Sequence, residues 1–156
     1  MIFVTVGTHP GQFDRLVKRM DEIAPFLKEK VVIQKGFTDY VPRHADSFAF
    51  TDDMEGYYSK ARLVISQAAT TVIEFALHQK PLIIVPRQKR FGEHINDHQV
   101  EFAEYFAQKT GVLCVMKIDA LTPALLRGYR SQPHLKKDGL HKLQHYLGKI
   151  VREHAT

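Results

Sequence analysis

Apolar residues along the chain follow two alternating patterns. Six short runs of β-branched and other apolar residues predict strands, and they cover residues 2–6, 31–34, 48–50, 63–66, 82–85 and 112–115. Between most of these runs, apolar residues recur at steps of three and four, which predicts helices over about residues 12–28, 72–77 and 100–107. Strands that alternate with helices indicate βαβ units. We therefore expect one α/β domain over residues 1–156, with a parallel sheet flanked by helices.

A further helix is predicted over about residues 134–153, where apolar residues form one stripe. The stripe consists of Leu140, Leu143, Leu147, Ile150 and Val151. The cations around it are Lys136, Lys137, Lys142, Lys149 and Arg152. Two interpretations stay open. The stripe packs on the sheet of its own domain, or it docks a partner and brings the cations close to anionic lipid headgroups.

Composition and charge exclude some classes of binding partner but do not identify a single one. The chain has 156 residues, and 22 Lys and Arg against 17 Asp and Glu give a net charge of +5, which favours anionic ligands. No aromatic-and-basic stripe accompanies that charge, so we do not expect nucleic acid binding. No apolar run reaches the ~20 residues of a membrane span, and the N-terminus lacks a basic leader, so we expect a cytoplasmic protein. The single cysteine, Cys114, lies in an apolar run and is predicted to be a core thiol.

Chemistry is expected in the loops that follow the strands, because ligands of such sheets bind at the carboxyl ends. In the loop 7–11, Gly7 and Gly11 permit close backbone approach, which suits either a tight turn or an anion site. In the loop 66–71, Thr71 and Glu74 fit a T-x-x-E capping box that needs no ligand. The same two residues also suit a diphosphate at the helix start and a ribose on the carboxylate.

The loop 86–99 is the densest in polar side chains. Three cations, Arg87, Lys89 and Arg90, precede a series of hydrogen-bonding side chains. Such density is typical of carbohydrate recognition, because each sugar hydroxyl both donates and accepts. His94 and His98 are four residues apart, but no third ligand accompanies them, so we expect no metal.

Three segments of the chain resemble the C-terminal, UDP-sugar-binding domain of glycosyltransferase family 28. They are the opening "MIFVTVGT", then "VISQAATTVIEFALHQKPLIIVP", then "FGEHINDHQVEFAEYFAQKTGV". The resemblance runs from Met1 to about Leu125 and implies the Rossmann-like C-terminal half of a GT-B fold. By pattern, the chain is similar to single-domain catalytic subunits of two-component glycosyltransferases, of the exopolysaccharide and dolichol-linked UDP-GlcNAc transferase types.

The resemblance also implies roles for individual residues. Gly7 and Thr8 lie near the donor diphosphate, Thr70 and Thr71 face the phosphates or uridine, and Glu74 binds the ribose hydroxyls. His98 and Gln99 bind sugar hydroxyls. The other residues expected to bind substrate are Arg87, Gly92, Glu93, Asn96 and Asp97. His94 is the candidate general base within this chain, and the cations of the loop 86–99 stabilise the leaving UDP.

One segment departs from the family pattern. Relatives commonly read S-H-x-G-x-G-S/T after the fourth strand, whereas this chain reads "SQAATT" over residues 66–71. It has no histidine and no glycine there, and one residue fewer. Two alanines narrow the backbone freedom that brings N–H groups to phosphate. An altered donor or reduced catalysis therefore stays open.

These features together predict the donor-binding catalytic subunit of a two-component UDP-sugar glycosyltransferase for polysaccharide or lipid-linked oligosaccharide synthesis. The resemblance implies an inverting, metal-independent reaction with no cofactor beyond the UDP-sugar substrate. It also implies a membrane-anchored, acceptor-binding subunit, a lipid-linked glycan acceptor, and a position at the inner face of the membrane through that subunit. The alternative is a non-catalytic, sugar-nucleotide-binding or regulatory module that keeps the fold.

Overall fold

The computed structural model describes residues 1–135 and 137–153, and it contains one six-stranded sheet. The strands are β1 (Ile2–Thr5), β2 (Val31–Gln34), β3 (Asp46–Phe48), β4 (Leu63–Ser66), β5 (Leu82–Ile84) and β6 (Leu113–Cys114). All five pairings are parallel, in the order β3-β2-β1-β4-β5-β6. The predicted parallel α/β fold is therefore confirmed, and the strand order reverses between β1 and β4.

Within the described residues, six α-helices connect or follow these strands. They are α1 (Asp14–Ile23), α2 (Met54–Lys60), α3 (Thr71–Leu77), α4 (His98–Thr110), α5 (Pro123–Gly128) and α6 (Lys137–Glu153). Short 3-10 turns cover Ala24–Phe26, Lys89–Phe91 and Ile118–Ala120.

Each face of the sheet is covered by its own apolar cluster. Successive side chains of a strand point to opposite faces, so Val4 packs on one side with α1, while Phe3 packs on the other with α3, α4 and α6. Burial on both faces explains why β1, β2 and β4 read as continuous apolar runs with no polar alternation.

The sequence prediction was wrong for three elements. β3 covers Asp46–Phe48 instead of 48–50, because an edge strand with exposed ends carries little hydrophobic pattern. Helix α2 was not predicted, since only Tyr58 of its seven residues is buried and no apolar period exists. The helix predicted over 12–28 is shorter, because Pro25 converts its end to a 3-10 turn.

The irregular segment after β2 is held by one carboxylate. Asp21 of α1 accepts hydrogen bonds from the Tyr40 hydroxyl and from the backbone N–H groups of Arg43, His44 and Ala45. Burial by itself raises the pKa of Asp21, but these four donors lower that pKa on balance. The segment is therefore fixed to α1 while the carboxylate is ionised.

The apolar stripe of α6 lies mostly inside this domain. Leu143, Leu147 and Ile150 are buried in the cluster that contains α4, and Tyr146 stacks on Tyr105 with ring centroids 3.9 Å apart. Val151 is 52% exposed. Lys136, one of the cations expected beside the stripe, lies outside the described residues. The helix thus contributes to the core of its own domain, and a docking role stays a prediction for its exposed side.

We expect Leu143→Ala to destabilise the domain by about 2–5 kcal/mol, because the Leu143 side chain is fully buried and its removal leaves a cavity. The free energy of unfolding is measured by urea denaturation. Val151→Ala is the matched control on the same helix, and a change of under about 0.5 kcal/mol is expected there. Equal small losses in both variants would show that α6 does not belong to the core.

Candidate functional site

A cleft of about 390 Å³ lies at the carboxyl ends of β1, β2 and β4. It is lined by Thr5, Gly7, Thr8, Gln34, Phe50, Thr51, Asp52, Met54, Gln67, Ala69, Thr70 and Thr71. We call it the switch-point cleft, because β1 and β4 are the strands between which the order reverses. Open α/β sheets bind ligands at this position.

The turn after β1 forms the centre of the cleft. Gly7 has a φ of +71°, and its N–H donates to the Gln34 side-chain oxygen at 3.1 Å. The amide of Gln34 also donates to the Gly7 carbonyl oxygen at 3.0 Å. A Cβ at Gly7 would lie 1.8 Å from Nε2 of Gln67. Only glycine adopts this positive φ readily and also leaves room for the Gln67 side chain. The backbone at Gly7 therefore approaches Gln67 more closely than any other residue would permit.

Arg87 was expected to contact substrate, but its side chain is fully buried beneath the cleft. Its Nη2 donates to the Val6 carbonyl oxygen at 3.0 Å, and its Nη1 donates to the carbonyl oxygens of Gly11 and Gln12 at 2.9 and 3.1 Å. Burial lowers the pKa of Arg87 to about 10, and the charge of Glu93 opposes that effect. The guanidinium therefore stays charged at neutral pH and connects loops instead of facing solvent.

Two glutamines complete this buried network. Nε of Arg87 donates to Oε1 of Gln67 at 2.7 Å, and Nε2 of Gln99 donates to the same oxygen at 3.2 Å. Oε1 of Gln99 accepts from the backbone N–H of Arg87 at 3.0 Å. Both glutamine side chains are buried. Gln99, expected to bind a sugar, thus uses its amide inside the protein.

Thr70 and Thr71 line the cleft, whereas Glu74 lies outside it. The capping box was wrong: Thr70 is the residue before α3, and its side chain makes no capping bond. Glu74 is exposed and lines a second groove of about 450 Å³ between α3 and α6. Thr70 lines both cavities, so the two are neighbours at the start of α3. We call the second cavity the α3–α6 groove.

The loop 92–99 is built largely on internal contacts. Glu93 is buried and binds Arg15 through two hydrogen bonds of 2.8 and 2.9 Å. Oδ1 of Asp97 accepts from the Lys89 N–H at 2.9 Å, and Asn96 accepts from the His98 N–H at 3.2 Å. These carboxylates and amides shape the loop. Gly92 ends the Lys89–Phe91 turn with a φ of +68°.

Three imidazoles meet where this loop touches the turn after β1. The rings of His9 and His94 stack with centroids 4.4 Å apart, and His98 meets His94 edge-on at 4.3 Å. Burial lowers the pKa of His94 to about 4, with further lowering by His98, His9 and Arg87. Burial and Arg87 also lower the pKa of His9. His94 is therefore neutral at pH 7 and able to accept a proton.

Within residues 1–135 and 137–153, no group of three or more His, Cys, Asp or Glu side chains is arranged to hold a metal ion. No helix in the same residues is long and apolar enough to cross a membrane. Cys114 is partly buried, and burial raises the pKa of its thiol to about 11, as befits the core thiol that the sequence predicted.

One wall of the cleft was not predicted from the sequence. Phe50, Thr51 and Asp52 come from the loop between β3 and α2, and Met54 is the first residue of α2. These residues follow a strand, which could have marked them as a candidate site, but β3 was predicted two residues too late. Gln34, which holds the Gly7 turn, was also missed, because it reads as the last residue of a strand.

Comparison with known proteins gives a consistent result. Residues 1–146 match the family described as the glycosyltransferase family 28 C-terminal domain. A curated relative from Desulfotalea psychrophila is named UDP-N-acetylglucosamine--N-acetylmuramyl-(pentapeptide) pyrophosphoryl-undecaprenol N-acetylglucosamine transferase. The chain is 36% identical to it over 78 residues, which are 49% of this chain and 20% of that protein. The match thus spans about a fifth of the relative's length.

Solved structures share the fold at low sequence identity. MurG of Acinetobacter baumannii has a TM-score of 0.52 and 19% identity, over 99% of this chain and 47% of its own. The calicheamicin glycosyltransferase CalG4 has a TM-score of 0.56 and 14% identity, over 96% of this chain and 38% of its own. The glycotransferase of kitacinnamycin has a TM-score of 0.53 and 15% identity, over 98% of this chain and 39% of its own.

The lowered pKa of His94 predicts a loss of stability in mild acid. Between its ordinary value of 6.5 and about 4, the unfolded chain takes up a proton that the folded chain excludes. The stabilisation is complete above pH 6.5 and is lost as the pH falls towards 4. In His94→Gln, urea midpoints at about pH 7 and pH 4.5 should therefore differ less than in the wild type. His141→Gln, an exposed histidine on α6, is the control; if both variants kept the wild-type difference, His94 would not carry the effect.

Proposed function

Because the chain belongs to the family of glycosyltransferase family 28 C-terminal domains, we propose that it binds a UDP-sugar as the donor half of a glycosyltransferase. The observation that carries the proposal is the switch-point cleft, which opens between the Gly7 turn and the start of α3. The named transferase from Desulfotalea psychrophila supports UDP-N-acetylglucosamine as a member of the donor class to test first.

The two neighbouring cavities suggest how the nucleotide lies. The diphosphate occupies the switch-point cleft beside Gly7 and Thr8, where backbone N–H groups and the Thr70 and Thr71 hydroxyls are available. The ribose lies where Thr70 leads into the α3–α6 groove, one helical turn before Glu74.

The sugar then extends towards the loop 92–99. His98 and Asn96 lie on this loop beside His94, close to the turn after β1. Lys89 and Arg90 are exposed cations on the same loop, so they replace the buried Arg87 as candidates to stabilise the leaving UDP. Gln99 and Glu93 support the loop from within.

The proposed reaction is an inverting, metal-independent displacement. An acceptor oxygen attacks the anomeric carbon, the bond from that carbon to the diphosphate oxygen breaks, and the electron pair leaves with UDP. A general base takes the acceptor proton. His94 is one candidate, because its neutral imidazole accepts a proton, although a pKa near 4 makes it a weak base. The other source is the acceptor-binding half.

We also propose that a separate, membrane-anchored chain supplies the acceptor half and presents a lipid-linked glycan. The support is the resemblance to two-component enzymes. The chain corresponds to 38–47% of the glycosyltransferases of solved structure. On this proposal the protein works at the inner face of the membrane.

Glu74→Gln should weaken UDP binding by about 1–3 kcal/mol in calorimetry, because a neutral amide replaces the ionised acceptor of the ribose hydroxyls and the charge-assisted hydrogen bonds are lost. The melting temperature should stay unchanged, since no capping bond of Thr70 or α3 depends on this residue. Glu104→Gln, an exposed carboxylate on α4 away from both cavities, is the control and should bind UDP as the wild type does. Unchanged UDP affinity in Glu74→Gln would remove the ribose role.

The isolated chain should bind UDP yet transfer no sugar, because one half of a two-domain cleft lacks the acceptor site. Transfer is followed with radiolabelled UDP-N-acetylglucosamine and lipid-linked acceptors, with and without membranes from cells that express the partner. Transfer that appears only with membranes supports the two-component proposal. Transfer by the purified chain alone would contradict it, and UDP binding without transfer under any condition would favour the non-catalytic module.

A further inference from the structure

The orientation of the Gln67 amide is fixed by its neighbours. Its Oε1 accepts from Nε of Arg87 at 2.7 Å and from Nε2 of Gln99 at 3.2 Å. A rotated amide would place its NH₂ against both donors, so the hydrogen bonds allow only one orientation. The NH₂ group must therefore point away from Arg87.

That NH₂ group reaches the switch-point cleft. Gln67 is 4% exposed and lines the cleft next to Gly7. Among the described residues, no acceptor pairs with Nε2 of Gln67. The buried side-chain atoms that lack a partner do not include Nε2, so this atom keeps some exposed surface. The 1.8 Å distance from Nε2 to a hypothetical Cβ of Gly7 places the group at the Gly7 turn. The floor of the cleft thus carries one hydrogen-bond donor that the protein itself does not use.

Arg87 acts on this donor without reaching the cleft. Its side chain has no exposed surface, and its other N–H groups donate to the carbonyl oxygens of Val6, Gly11, Gln12 and Glu93. The guanidinium is therefore anchored on two other loops and holds the Gln67 oxygen from below.

We propose that Gln67 is a specificity-determining residue whose Nε2 donates a hydrogen bond to the donor diphosphate, and that Arg87 is the positioning residue that aims it. The proposal rests on the proposed function. In a segment without glycine, Ala68 and Ala69 restrict the backbone, and a side-chain amide supplies the phosphate contact instead. A neutral amide also discriminates against ligands that lack a phosphate acceptor at this point, such as uridine.

The test compares UDP with uridine, each titrated into the full chain and followed by protein NMR. Gln67→Glu should bind UDP at least about tenfold more weakly, since a donor becomes an anion beside the diphosphate, while uridine affinity should change less than about twofold. The melting temperature should not fall, because a carboxylate still accepts from Arg87 and Gln99. Gln108→Glu, an exposed residue near the far end of α4, makes the same charge change and should leave both affinities unaltered.

Gln67→Met removes the hydrogen-bond donor without adding a charge. It should weaken UDP binding by about three- to tenfold and leave the affinity for uridine unchanged. Arg87→Lys should weaken UDP binding clearly less in the Gln67→Met background than in the wild-type background, since the part of its effect that runs through the hydrogen bond to Gln67 is then already lost. Equal losses of UDP affinity in the two backgrounds would show that Arg87 does not act through Gln67. If Arg87→Lys does not fold, Gln99→Met removes the other donor to Gln67 and is expected to behave in the same way.

Two results would overturn the inference while the proposed function stands: wild-type UDP affinity in both Gln67 variants, or equal losses for UDP and uridine, which indicate a merely structural role. Failure of the wild-type chain to bind UDP would overturn the proposed function and the inference together. The wild-type titration therefore tells the two failures apart.

Discussion

The buried guanidinium of Arg87 is the interaction on which this structure most depends. A charge without exposed surface is costly unless its donors find acceptors, and here carbonyl oxygens and one amide oxygen accept from all three guanidinium nitrogens. Because these acceptors belong to the loops after β1, β4 and β5, one side chain sets the relative positions of all three. The shape of the switch-point cleft follows from that constraint.

The same network determines which polar residues around the cleft are structural and which can contact a ligand. Glu93 and Gln99 are turned inwards to support Arg87 and its loop, so they are not free to hold a ligand. Within the switch-point cleft, the groups that face a ligand include the Gly7 turn, the Gln67 amide and the threonines at the start of α3. Buried polar residues of the loop 86–99 thus support the structure, while its exposed polar residues can face a ligand.

The sheet could be predicted from the sequence because its strands are buried on both faces, as the runs 31–34 and 63–66 show. The loops after the strands could also be located. Burial within the loops could not, since a cation such as Arg87 reads as a surface residue until its acceptors are known. The wall around Phe50 was missed because an exposed edge strand leaves little pattern. Glu74 was placed on the correct helix, but its side of the helix depends on the packing of α6.

A crystal structure of the chain with UDP would show where the nucleotide binds. We expect electron density for the diphosphate in the switch-point cleft, against Gly7 and within hydrogen-bond distance of Nε2 of Gln67, with the ribose at Thr70. UDP bound only in the α3–α6 groove, or at a site that leaves the Gly7 turn empty, would contradict the proposed binding mode.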